Sequence, residues 1–214
     1  MITIVNYGMG NLTSARMALE HVGADVELTS DPERVGAAEA LVLPGVGAFP
    51  KAMRELRARG LEEPIRDRHA AGVPIIGICL GMQLLFDSSS EMGGETGLGL
   101  LGGAVEPLRT GPLKLPQIGW NEVAWRGGSA LSEGLPPRTA MYHVHSFAAH
   151  PADATVVAGT AHYGEEFVSA VSRDNLFGVQ FHPEKSSADG LALLRNFVRL
   201  GPAVRGPRSA VQSA

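Results

Sequence analysis

The chain has 214 residues, of which 44% are hydrophobic and 19% are charged, and its formal net charge is −4. This size and composition are typical of one folded domain with a substantial core. The small negative charge gives no electrostatic reason to expect binding to nucleic acid or to an anionic membrane, and no apolar stretch has the length of a membrane span. Because the sequence has a single cysteine, an internal disulfide is excluded and we expect a cytoplasmic protein.

The first part of the chain alternates between short apolar strands and helical segments. Apolar residues at helical spacing, a glycine C-cap at Gly23 and an N-cap at Asp31 followed by proline support the helices. Strands are expected at residues 2–7, 25–28, 40–43 and 74–79, with helices at 12–22, from 31, at 50–59 and at 61–71. This order predicts an α/β fold, a doubly wound and mostly parallel sheet with helices on both faces.

The pattern changes after Ser88, where glycines become frequent and helical periodicity is lost. We expect an added antiparallel β portion, followed by a last buried strand and an amphipathic helix. The antiparallel strands are predicted near residues 119–125, 140–147, 155–159 and 167–172, the last strand at 176–181 and the helix at 189–200. We treat residues 1–200 as one domain and expect residues 201–214 to form a disordered tail.

The cysteine lies in the segment Gly77-Ile78-Cys79-Leu80-Gly81, directly after the fourth predicted strand. Glycines on both sides allow the tight turn of a nucleophile elbow, and a helix is predicted to follow at residues 82–86. A thiol at a helix N-terminus is favoured as the thiolate. The alternative is a buried, unreactive cysteine that serves as a small apolar side chain.

A histidine and a carboxylate follow the last predicted strand, in His182-Pro183-Glu184. Glu184 can hold one imidazole nitrogen while the other faces a nucleophile. In an open parallel sheet, sites gather at the carboxyl ends of strands, where residues 44–47 also lie. Cys79, His182 and Glu184 are therefore the predicted catalytic residues.

Motifs for cofactors and metals are weak in this sequence. Gly8-Met9-Gly10 lacks the third glycine of a dinucleotide fingerprint. His143 and His145 would share one face of a strand, but no third ligand is evident. We expect no cofactor and no metal.

The cysteine motif and the His182-Pro183-Glu184 motif resemble those of the class I glutamine amidotransferases. Further segments are similar to the glutaminase subunits of imidazole glycerol phosphate synthases, and they run in family order across roughly residues 1–200. These segments are residues 6–12, 43–49, 118–121, 144–146 and 178–186. The sequence departs from that pattern at His143, where an aromatic residue is usual, and at Gln117, where histidine is commoner.

The resemblance implies a role for each matching residue. Cys79 attacks the side-chain amide of glutamine, His182 transfers the proton to the departing ammonia, and Glu184 orients the ring. The oxyanion is stabilised by the N–H of Leu80 and by that of Val46 or Gly47. Gln83 contacts the bound glutamine, and Tyr142, His145 and Ser146 line the same pocket or an ammonia exit. Trp120 and Lys185 are interface or gating residues rather than participants in the chemistry.

The resemblance also implies a partner, a separate (β/α)₈ cyclase subunit that forms a heterodimer with this chain and receives ammonia through a channel. The glutaminase of another pathway, such as pyridoxal phosphate synthesis, is an alternative. A non-catalytic binding subunit is a second alternative, although it should have lost a member of the triad. A stand-alone cysteine hydrolase is a third, but it would need neither Gln83 nor a partner.

Overall fold

The computed structural model describes residues 1–201, so the predicted tail lies, apart from Gly201, outside the described residues. The strands are β1 (Ile2–Val5), β2 (Val26–Thr29), β3 (Leu41–Gly45), β4 (Ile75–Cys79), β5 (Phe86–Ser89), β6 (Glu95–Thr96), β7 (Leu101–Pro107), β8 (Gln117–Trp125), β9 (Arg138–His145), β10 (Phe147–Pro151), β11 (Val157–Tyr163), β12 (Glu165–Arg173) and β13 (Leu176–Val179). The helices are α1 (Leu12–His21), α2 (Pro32–Gly36), α3 (Phe49–Ala58), α4 (Glu62–Ala70), α5 (Leu80–Gln83) and α6 (Ser187–Leu200).

A parallel sheet forms the centre of the molecule, in the order β2-β1-β3-β4-β13. Beyond β13 the sheet continues through β12, β10 and β7 by antiparallel pairing, and β11, β8 and β9 branch from β12. The predicted α/β sheet with an antiparallel addition is confirmed. Because β3, β4 and β13 are neighbours and parallel, the residues that follow them meet at one edge.

Helices cover both faces of the parallel sheet, as predicted. Alternate residues of each strand point to opposite faces, so that Leu41 and Leu43 pack under α2, α3 and α4 while Val42 faces α1 and α6. This explains why β1, β3 and β4 are buried at every position rather than at alternate positions. None of the helices in residues 1–201 combines the length and apolar character that crossing a bilayer requires.

The prediction of a helix at residues 82–86 was wrong. The helical turn after Cys79 is α5, which ends at Gln83, and Phe86 already begins β5. The carbonyl groups of Leu84 and Leu85 accept N–H groups from Leu98 and Leu100, at 2.8 Å in both cases. These long-range hydrogen bonds draw the chain out of the helix after one turn.

The antiparallel part is larger than the sequence pattern suggested. Strands β7 and β10 were not predicted, and they pair with each other over five residues. The segment predicted at residues 155–159 begins instead as a 3₁₀ turn, Ala154–Val156, before β11. Frequent glycine in β7 and the half-exposed positions of both strands concealed their pattern.

Candidate active site

Cys79 ends β4 in a strained backbone conformation, with φ 55° and ψ −112°. Such a positive φ in a residue other than glycine typically costs about 1–3 kcal/mol and is characteristic of functional sites. The turn depends on its two glycines. A Cβ at Gly77 would lie 2.5 Å from the carbonyl oxygen of Gly81, and one at Gly81 would overlap the carbonyl oxygen of Leu43.

His182 and Glu184 form a buried hydrogen-bonded pair. The Nδ1 of His182 lies 2.8 Å from Glu184 Oε1, and their side chains are 5% and 3% exposed. The main chain of His182 is fixed on both sides, since its N–H donates to the Tyr142 carbonyl at 2.8 Å and its carbonyl accepts from Ser186 Oγ at 2.7 Å. With Nδ1 held by Glu184, Nε2 is the nitrogen left for the cavity.

The electrostatics favour a charged pair at this site. Burial lowers the pKa of His182, but interactions with the Cys79 sulfur and with Glu184 outweigh that effect and raise this pKa to about 10. Burial and the nearby Cys79 also raise the pKa of Tyr7, whose hydroxyl donates to the Pro44 carbonyl at 2.7 Å. Because its pKa is raised, His182 is an imidazolium at neutral pH and is available there as an acid.

The loop after β3 brings main-chain donors to the same place. Val46 is 43% exposed and Gly47 has a φ of 101°, which favours glycine. Within residues 1–201, no backbone carbonyl accepts a hydrogen bond from the N–H of either residue. These two groups are thus free to bind a ligand.

A cavity of about 370 Å³ opens at this edge of the sheet. This volume suits a small polar molecule. It brings together most of the predicted residues, namely Val46, Gly47, Cys79, Leu80, Gln83, His145, Ser146 and His182. Glu184 lies behind His182 rather than in the wall of the cavity.

Tyr142 lies elsewhere. Its ring packs edge-on against Trp120 at 6.1 Å, and Lys185 Nζ lies 6.0 Å from the ring centre. Trp120 and Ile118 are 56% and 63% exposed. Residues 118, 120 and 142 form an exposed surface, which we call the β8 face, and Lys185 connects it to the cavity wall.

The two histidines of β9 are buried and fully hydrogen-bonded. His143 contacts the Met141 carbonyl at 3.0 Å and Ser169 Oγ at 2.9 Å, and His145 contacts the Phe147 carbonyl at 2.8 Å and Gln117 at 2.9 Å. Burial is the main cause that lowers the pKa of His143 to about 3 and that of His145 to about 4. In the described part of the chain, no cluster of three or more His, Cys, Asp or Glu residues could hold a metal ion.

Two residues near the cavity were missed by the sequence analysis. Glu91 lines the cavity, and its Oε2 accepts the N–H of Phe49 at 2.8 Å. Gln180 is fully buried and its Nε2 lies 3.8 Å from the Cys79 sulfur. A glutamine inside the apolar run before His182 is a signal that could have identified Gln180, since a buried polar residue needs a partner.

Comparison with known proteins agrees with this geometry. The model of the family "Glutamine amidotransferase class-I" matches residues 3–200. The chain belongs to the class I glutamine amidotransferases. Solved structures of similar fold include one described as a glutamine amidotransferase (21% identity, TM-score 0.73, 93% of this chain and 97% of that chain) and PurLQS from Thermotoga maritima (20% identity, TM-score 0.74, 92% and 97%).

Two relatives are more similar in sequence to this chain than these solved structures are. A protein of Moorella thermoacetica named imidazole glycerol phosphate synthase subunit HisH is 50% identical over 199 residues, which cover 93% of this chain and 94% of the relative. A protein of Rhodopirellula baltica with the same name is 50% identical over 198 residues, covering 92% and 96%.

Proposed function

We propose that the chain is the glutaminase subunit of an imidazole glycerol phosphate synthase, which hydrolyses glutamine to glutamate and supplies ammonia to a cyclase subunit in histidine biosynthesis. The observation that carries the proposal is the single cavity at which Cys79, His182 and the free amides of residues 46–47 meet. The particular enzyme is supported by 50% identity, over 93% of the chain, to a protein of that name.

The reaction begins with attack of the Cys79 thiolate on the side-chain amide carbon of glutamine. As the tetrahedral intermediate collapses, the His182 imidazolium gives its proton to the departing nitrogen. The C–N bond then breaks, and ammonia leaves while the thioester forms. Water, deprotonated by the now neutral His182, then attacks the thioester and releases glutamate and the thiolate. Proton transfer from a positioned acid is typically worth about 10²–10⁴-fold in rate, and an amide nitrogen leaves poorly without it.

The oxyanion of each intermediate would be bound by main-chain donors. The N–H of Leu80 is adjacent to the nucleophile, and those of Val46 and Gly47 lack backbone acceptors among residues 1–201. Removing one such donor typically reduces the rate by about 10²–10³-fold. When these N–H groups already point at the position of the oxyanion, little reorganisation of the main chain is needed as the charge develops.

The rest of the cavity would hold the amino acid part of glutamine. Gln83 offers its Oε1, because its Nε2 already donates to Phe147 and Gln180 at 3.1 and 3.0 Å. Glu91 supplies a carboxylate that complements an ammonium group. His145 and Ser146 complete the polar part of the wall.

The β8 face is the proposed contact with the cyclase. An exposed tryptophan next to an exposed isoleucine is typical of the centre of a protein interface. Lys185 contacts Tyr142 and also lines the cavity, so this face and the site of ammonia release are adjacent. We further propose that residues 1–200 form one catalytic domain, and that the heterodimer acts in the cytoplasm.

The decisive experiment is Cys79→Ala in the complex with the cyclase. Glutamine-dependent synthesis should be abolished, while synthesis from ammonium salts should continue at the wild-type rate. Met17→Ala, at an exposed position of α1 away from the cavity, is a control that should retain both activities. A Cys79→Ala complex that still used glutamine would rule out the nucleophile.

We also expect the isolated chain to be a weak glutaminase that is stimulated by the cyclase and its nucleotide ligand. The motive is the loop of residues 46–47, where glycine allows donors to turn towards or away from the cavity. Equal glutamine turnover with and without the partner would contradict this coupling.

A further inference from the structure

Gln180 lies beside the nucleophile, yet the reaction described above assigns it no role. Its side chain is fully buried, its Nε2 lies 3.8 Å from the Cys79 sulfur, and its Oε1 lies 3.0 Å from Gln83 Nε2. We propose that Gln180 is a positioning residue whose amide N–H donates to the Cys79 sulfur and holds it as a thiolate. A role of this contact in catalysis rests on the proposed function, whereas the contact itself can be tested without any glutaminase activity.

The direction of this amide is fixed by the surrounding main chain. The Phe147 carbonyl can only accept a hydrogen bond, and it contacts both His145 Nδ1 at 2.8 Å and Gln83 at 3.1 Å. Gln83 must therefore present its NH₂ to Phe147, and the same NH₂ then donates to Gln180 Oε1. With its oxygen engaged there, Gln180 can present only its NH₂ to Cys79.

Two groups with opposite preferences thus contact the sulfur. The Val144 carbonyl lies 3.6 Å from Sγ and can only accept, so that it favours the S–H form. Gln180 can only donate here, so that it favours the thiolate. Because Gln180 is fully buried, water cannot replace the hydrogen bond when it is lost.

Other charged or titratable groups also act on this sulfur and must be considered. The His182 imidazolium, paired with Glu184, is the main positive group. Tyr7, two residues after β1, lies close enough for Cys79 to raise its pKa. Glu91, His145 and Lys185 line the same cavity. A change at Gln180 leaves all of these groups in place, so its effect on the thiol can be measured separately.

The test is the pH dependence of alkylation of the full-length chain by iodoacetamide, which reports the thiolate. Cys79 is the single cysteine, so the loss of free thiol measures this site alone. In Gln180→Met, which keeps the length of the side chain and removes the donor, we expect alkylation to require a higher pH, with a rate about tenfold lower below its midpoint. Asn196→Leu, the matched change of another buried amide, should leave the profile unchanged.

Kinetics of the complex with the cyclase provide the second measurement. Gln180→Met should lower kcat for glutamine with little change in KM, because it acts through the nucleophile. Gln83→Met should mainly raise KM. An unshifted alkylation profile in folded Gln180→Met, or an equal shift in Asn196→Leu, would overturn the proposal.

A measurement on the unaltered protein covers the case in which Gln180→Met fails to fold. The side-chain amide ¹⁵N–¹H resonance of Gln180 should titrate with the midpoint found by alkylation, and a resonance insensitive to that midpoint would refute the contact. If the wild-type complex with the cyclase failed to hydrolyse glutamine while these shifts occurred, the proposed function would be wrong and the role of Gln180 at the thiol would stand.

Discussion

Replacing Glu184 by glutamine should shift the alkaline limit of glutaminase activity. The substitution keeps an oxygen that can accept from His182 Nδ1 but removes the negative charge 2.8 Å away. The pair is almost completely buried, at 5% and 3% exposure, so solvent screens it little. The perturbation is thus nearly a change of charge alone.

The size of the shift follows from the strength of this contact. A hydrogen bond to a charged group contributes about 1.5–3 kcal/mol, which corresponds to about 1–2 pKa units. Burial lowers the pKa of His182, and interactions with Cys79 and Glu184 raise it to about 10. Without the carboxylate, we expect that pKa to fall by about 1–2 units.

The sign of the pH effect is determined by the acid form of His182. Activity requires the imidazolium, so it is present below the His182 pKa and is lost as the pH rises through it. In Glu184→Gln the alkaline limb of kcat/KM should therefore move down by about 1–2 pH units, and kcat should fall by about 10²–10⁴-fold. The assay is glutamate release by the complex across pH 6–11, with thermal unfolding as a check of folding. An alkaline limb in the same position as in wild type would refute the reasoning.

Three further changes test the fold and the interface. Gly81→Ala should destabilise the protein by about 3 kcal/mol or more in urea unfolding, because its Cβ would overlap the Leu43 carbonyl oxygen. Gly36→Ala on α2, where a Cβ would meet no other atom within 4 Å, should change stability by less than about 1 kcal/mol. Burial lowers the pKa of His143 to about 3, so the unfolded chain binds a proton there that the folded state does not. The folded state therefore loses about 1.4 kcal/mol of stability per pH unit as the pH falls below about 6.5. His143→Gln should reduce this slope between pH 6 and 4.5, while the change His21→Gln at an exposed position should not. Trp120→Ala should weaken binding of the cyclase by about 2 kcal/mol, or roughly 30-fold in Kd, whereas Met17→Ala on α1 should bind as wild type does in titration calorimetry.

The inner strands of the central sheet could be predicted because they are buried on both faces. Residues 2–5 are β-branched and residues 41–43 are aliphatic, and all of them are buried, as in a strand covered by helices on both sides. Parallel neighbours also end at the same edge, so the meeting of Cys79 and His182 followed from their positions after two strands.

The positions of the remaining residues depended on contacts that are distant in sequence. Tyr142 lies on the β8 face because the register of β8 and β9 pairs it with Trp120, while His143 and His145 point inward. A shift of one residue would exchange these faces, and the sequence alone does not fix it. The single turn of α5 was likewise set by hydrogen bonds from residues 98 and 100.

The end of β3 is held rigidly against the turn that carries the thiol. A Cβ at Gly45 would lie 2.9 Å from Leu80 Cβ and would also meet the Tyr7 hydroxyl, which is already bonded to Pro44. This strand end is fixed relative to the sulfur, so under the proposed coupling to the cyclase the signal would act as a rotation of the peptide units around Val46 and Gly47. Regulation in this protein would then consist of turning one or two amide planes, while the catalytic framework stays still.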